Sequence, residues 1–88
     1  MDNNNPKQTE TIPVRDISVA SFIYCSDKVR LERTERKNNN LVIFHFAPKE
    51  AVEKLITAYW SDTAVVTPRK VFMAERSLKD LIFSGGYQ

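Results

Sequence analysis

Apolar and polar positions alternate over residues 29–32, apolar residues run nearly unbroken over 41–46, and they recur with a helical period over 49–60 and 69–83. In the run 41–46, Val42, Phe44 and Phe46 fall on one face and Leu41, Ile43 and His45 on the other, which predicts a strand. Upstream, over 29–36, Val29 and Leu31 alternate with Arg30 and Glu32, the pattern of an edge strand with one wet face. Lys37-Asn38-Asn39-Asn40 joins the two runs, and Asn tolerates the positive φ of a turn. The two runs are therefore expected to pair as an antiparallel hairpin.

Pro48 is placed to open a helix at its first position. Val52, Leu55, Ile56 and Tyr59 then repeat at helical spacing, and Ser61-Asp62-Thr63 closes the element. Val65 and Val66 read as a short extended stretch. Thr67 and Pro68 form a second helix start, with the Thr hydroxyl as N-cap and Pro at N1. Val71, Ala74, Leu78, Leu81 and Ile82 supply its apolar face, and Gly85-Gly86 its stop.

The segment 15–25 fits two readings. As a helix it aligns Ile17, Ala20 and Tyr24, with Phe22 and Ile23 widening the stripe; as a strand it is apolar on both sides, which suits a buried central position. Ser26-Asp27-Lys28 follows as a turn. Residues 1–13 are polar and aperiodic and are expected to be a flexible tail, leaving 14–88 as a single compact domain. The expected fold is α+β: an antiparallel β-hairpin packed against two or three helices, in the order α-β-β-α-α.

Several of these residues carry a resemblance. Asp16, Ile17 and Ala20, the run Val42-Ile43-Phe44-His45-Phe46, Tyr59, Val66 and Leu78-Lys79-Asp80-Leu81-Ile82 together resemble a bacterial and phage family known as a domain of unknown function, number fifty-six fifty-nine in that series. The likeness spans roughly residues 15–83, the part of the chain apolar enough to pack. It implies a helix at the first segment, which favours the helical reading of 15–25. It also implies a Gly in the turn that follows, where this chain has Ser26-Asp27-Lys28. It brings no activity with it.

A chain of 88 residues holds one small domain, and its 42% hydrophobic and 27% charged residues argue against wholesale disorder. One Cys excludes a disulfide within the chain. No apolar run reaches the roughly 18 residues needed to cross a bilayer. The opening Met1-Asp2-Asn3-Asn4-Asn5 lacks the charge and apolar core of a secretory signal, so the expected compartment is the cytoplasm and no membrane partner is expected.

Catalytic chemistry finds few candidates. A zinc site needs three or four clustered ligands, against one His and one Cys here, so no metal and no cofactor is expected. Cys25 reads as a small buried hydrophobe and His45 as a strand residue, rather than as nucleophile and base. Gly85-Gly86 lacks the flanking strand and helix of a phosphate loop. The chain is accordingly expected not to be an enzyme, and no small-molecule substrate is evident.

Two binding readings remain. Between Lys28 and Lys37 five cations meet two carboxylates, and Arg69-Lys70 opens the last helix, where positive charge opposes the helix dipole. Arg30, Arg33, Arg36, Lys37, Arg69 and Lys70 are thus the candidate nucleic-acid contacts, with Arg30 and Arg36 expected on one strand face. The competing reading of this strand is an edge kept from aggregating by mixed charge. A net charge of +2 is thin for a nucleic-acid protein. Trp60, Phe72, Met73 and Phe83 exceed one helical stripe. They either fill the core or form a surface for a protein partner, a copy of the chain (a homodimer) or another protein. The protein-interaction reading ranks first and nucleic-acid binding second.

Overall fold

The computed structural model describes residues 10–38 and 41–83. The elements are β1 (Ile12–Val14), α1 (Ile17–Tyr24), β2 (Arg30–Asn38), β3 (Leu41–Ala47), α2 (Lys49–Trp60) and α3 (Pro68–Phe83). The α+β class stands, with a three-stranded antiparallel sheet of order β1-β3-β2 and three helices.

The order is β-α-β-β-α-α rather than α-β-β-α-α, because Ile12 and Pro13, assigned from sequence to the tail, belong to a strand. Ile12 pairs with Phe46, Pro13 with His45 and Val14 with Phe44. Three residues are too few to show a period, and Pro13 masks the strand further. Pro is tolerated there because β1 is an edge and needs no full ladder of donors. Residues 1–9 of the expected tail lie outside the described residues, as do Asn39, Asn40 and the Gly85-Gly86 stop.

β3 is central. On one of its faces Phe44 lies between Val14 and Thr34, and Phe46 between Ile12 and Leu31. Phe44 and Phe46 join Val19, Ala20, Phe22, Ile23, Val52 and Leu78 in one buried cluster, so the helices cover this face. The opposite face carries His45 between Pro13 and Arg33, and Ile43 opposite Glu35.

Helix α1 resolves the ambiguity of 15–25. Val19, Ala20, Ser21, Phe22 and Ile23 are buried in succession, so no apolar stripe exists for a period to reveal. The helix packs against β1, α2 and α3 together. Asp16 caps it: its Oδ1 accepts from the Ser18 amide at 2.7 Å and the Val19 amide at 3.3 Å. The buried Ser21 hydroxyl donates to the Ile17 carbonyl at 2.6 Å, which removes the cost of an unpaired polar group. Tyr24, expected on the inner face, is exposed instead.

At α2, Pro48 occupies the N-cap rather than the first helical position. Its ψ of 155° is extended, while its carbonyl already accepts from the Val52 amide at 3.1 Å. The C-terminus closes as a Schellman motif: the Asp62 amide donates to the Tyr59 carbonyl at 3.3 Å and the Thr63 amide to the Ala58 carbonyl at 3.1 Å. Asp62 takes the left-handed position with φ 64°. Residues 63–67, which include Val65 and Val66, belong to no strand of the sheet. At α3 the expected cap is present, with Thr67 Oγ1 accepting from the Lys70 amide at 3.4 Å.

Leu78 is fully buried where α3 meets the cluster, so Leu78→Ala is expected to lower the unfolding free energy by about 2–5 kcal/mol in chemical denaturation. At position 62 the left-handed backbone suits Gly. Asp62→Gly should raise stability by about 0.5 kcal/mol and Asp62→Val lower it by about 1 kcal/mol, both measurable as shifts in the denaturation midpoint.

Candidate functional site

Arg33, Lys37 and His45 converge on Glu35. On the face away from the helices, its Oε1 lies 3.0 Å from His45 Nε2 and 3.9 Å from Arg33 Nη1, and its Oε2 lies 3.1 Å from Lys37 Nζ. The register produces this arrangement: Arg33 stands opposite His45, and Glu35 is the next residue of β2 on that face. His45 is only 8% exposed although, among the described residues, no helix packs on its side of the sheet. Hydrogen bonds from His45 first and Lys37 second hold the Glu35 carboxyl below its ordinary value.

Irregularities in β2 between Leu31 and Arg33 and between Arg36 and Asn38 make Glu32 and Lys37 extra residues. Arg30 therefore opposes Ala47 while Arg36 opposes Val42, and the two arginines lie on opposite faces, not on one as expected. Arg30 Nε also donates to Glu32 Oε2. Arg69 and Lys70 start α3 in the helical layer. The six candidate cations are thus divided between the two sides of the sheet, and those facing away from the helices share the carboxylates of Glu32 and Glu35. The alternation of 29–36 could not reveal Glu35 as their meeting point, because one inserted residue reverses every face assignment after it.

Cys25 and His45 are not brought together. Cys25 is half-buried rather than buried, at the end of α1. It lines a surface pocket of about 320 Å³ with Phe22, Leu55, Val66 and Lys70. Burial pushes its thiol up from the ordinary value, with the Lys70 ammonium opposing, the reverse of an activated nucleophile. Among the described residues no group of three or more His, Cys, Asp and Glu side chains is placed to hold a metal ion.

The four candidate partner residues lie outside the core. Trp60 is 68% exposed, Phe72 69%, Met73 60% and Phe83 82%, so the reading in which they fill the core is overturned. Tyr59 turns inward, its ring 5.7 Å from that of Phe22, while Trp60 stacks edge-on against Tyr59 at 5.0 Å. On α3, Ala74 and Leu78 are buried and Val71 and Ile82 half-buried. At about 100° per residue, Phe72 and Phe83 lie within about 20° of each other on the outer side of the helix, and Met73 lies about 80–100° further round, on the far flank.

No family model, curated protein or solved structure matches the chain, so the family resemblance rests on the residues quoted for it.

A group whose pKa is lower folded than unfolded stabilises the fold fully above its unfolded value, about 4.3 for Glu, and ceases to do so as pH falls through the folded value. Stability is therefore expected to drop below the ordinary carboxylate range. Glu35→Gln should flatten the stability–pH curve there, as read by denaturant titrations at successive pH values. Superimposable curves for the two proteins would contradict the Glu35 cluster.

Proposed function

We propose that this chain is a small non-catalytic interaction module that docks a protein, a second copy or a different one, through the outer surface of its helices. The observation that carries this reading is the exposure of Trp60, Phe72, Met73 and Phe83 around a core that closes without them. Each large apolar side chain removed from water contributes about 1.5–3 kcal/mol, so a partner that covers several of them gains substantially. Soluble monomers rarely expose a contiguous apolar patch of more than about a few hundred Å² unless a partner or ligand covers it.

Nucleic-acid binding along β2 ranks second. Arg30 is engaged by Glu32, and Arg33 and Lys37 by Glu35, so an incoming phosphate has to compete with carboxylates already in place. A cytoplasmic setting fits a lone unpaired thiol. Among the described residues no helix is long and apolar enough to cross a membrane.

The test is affinity capture from nuclease-treated extract of the native host, with sedimentation of the purified chain over a concentration series. The expected outcome is a retained protein or a concentration-dependent dimer, lost in the double variant Phe72→Ser, Phe83→Ser. These positions are exposed, and the substitutions should leave the fold within about 0.5 kcal/mol of wild type. Capture of nuclease-sensitive material alone, or association indifferent to the double variant, overturns the reading.

A further inference from the structure

Along the outer flank of α3, Arg69, Phe72, Arg76, Lys79 and Phe83 follow one another at alternating steps of three and four residues. At about 100° and 1.5 Å per residue, the five fall within about 80° of one another around the axis and extend over about 21 Å. All five are exposed, on the side turned away from Ala74 and Leu78. Lys79 Nζ pairs with Glu75 Oε2 at 3.0 Å. Among the described residues Arg69 and Arg76 take part in no ion pair. Cation and aromatic ring thus share one line of the helix at the spacing with which two helices mesh.

We propose, building on the interaction reading above, that this stripe docks an acidic amphipathic α-helix of another protein. Apolar residues of that helix cover Phe72 and Phe83, and its carboxylates meet Arg76 and Lys79.

Charge selects this occupant over a second copy. An antiparallel two-fold pairing of the stripes sets Phe72 against Phe83 but also Arg76 against Lys79, gathering four cations at its centre. A parallel pairing sets Arg76 on Arg76 and Lys79 on Lys79. Like charges brought face to face are the means by which interfaces reject a wrong partner.

A lipid surface fits less well. An interfacial helix needs a broad unbroken apolar face, whereas here two cations separate the two rings and the broad apolar face of α3 is turned into the core. Nucleic acid fits less well because Glu75 and Asp80 border the stripe on either side, about 40° and 20° beyond its edges. They confine the attraction to a line one helix wide. Arginines flanking aromatic rings match the carboxylate-and-apolar pattern of such a helix, and Arg pairs carboxylates bidentately.

The test uses the full chain and a synthetic helical peptide of about 18 residues, long enough to match the stripe. Two Leu sit eleven positions apart on the peptide, with Glu at the seam positions between them; its twin carries Lys in place of Glu. Fluorescence anisotropy is read alongside vesicles of phosphatidylglycerol and phosphatidylcholine and a single-stranded oligonucleotide. The expected result is preference for the Glu peptide over the Lys twin by about ten-fold or more. Arg76→Glu, which breaks no ion pair among the described residues, should erase that preference, and Arg76→Glu with Lys79→Glu should reverse it. Circular dichroism should show native helix content in both variants.

Equal binding of the two peptides, a preference unchanged in the charge-reversed variants, tighter binding to vesicles or oligonucleotide, or a dimer of the chain that Phe72→Ser, Phe83→Ser dissolves overturns the proposal. If the Glu peptide fails while Phe72→Ser, Phe83→Ser still abolishes protein capture, only the acidic-helix inference falls. If capture is indifferent as well, both readings fall.

Discussion

An eight-residue helix with apolar side chains around most of its circumference has to be enclosed from several directions at once, and α1 imposes that requirement on the rest of the chain. The helical face of the sheet supplies one wall through Val14, Phe44 and Phe46; α2 and α3 supply the others through Val52 and Leu78. Asp16 fixes where the helix begins by satisfying two of its first amides, and the Ser21 hydroxyl is paired within the same helix. Because α3 closes the last side, its inner face is committed to the core and its outer flank is turned away.

The sheet shows the opposite economy. Its second face has no helix among the described residues, yet Ile43 and His45 in the central strand are buried. Their neighbours on that face are Pro13, Arg33 and Glu35. A single carboxylate is shared there by an imidazole and two cations. Such a network holds β2 in register with β3 more specifically than apolar contact alone. The irregularities in β2 add a second effect. They disturb an outer edge nine residues long that would otherwise offer a regular ladder to another strand.

Legibility in the sequence followed periodicity. α2 and α3 each carry a period that matches the face they bury, and both were readable, down to the Thr67 cap; the β2–β3 pairing was readable too, from an apolar run beside a charged one. The first segment was not, because a helix buried on most sides and a strand buried on both look alike in composition. β1 was missed because three residues around a proline form no pattern. The division of the cations escaped because a bulge leaves no mark on the alternation, and Arg30 and Arg36 exchange faces through it. Trp60, Phe72, Met73 and Phe83 were visible as a surplus over one stripe. Whether a surplus fills the core or lies outside it depends on the volume the other elements leave, which only the packing settles.

That surplus explains the charges around it. Exposed phenylalanines on a helix invite indiscriminate association, and cations set between them at one helical turn suppress it, because two such stripes repel when they meet. The same cations do not repel every partner. A helix bearing carboxylates at the matching turns gains at each position where a second copy loses. On the proposed docking reading, Arg69, Arg76 and Lys79 serve two ends through one property: they set Phe72 and Phe83 apart from their own kind, and they define the class of surface that can cover them. Were the rings only a packing defect, no particular order of charges along this flank would be required. Cation and ring sharing one seam, with Glu75 and Asp80 at its borders, is the order that a discriminating contact requires.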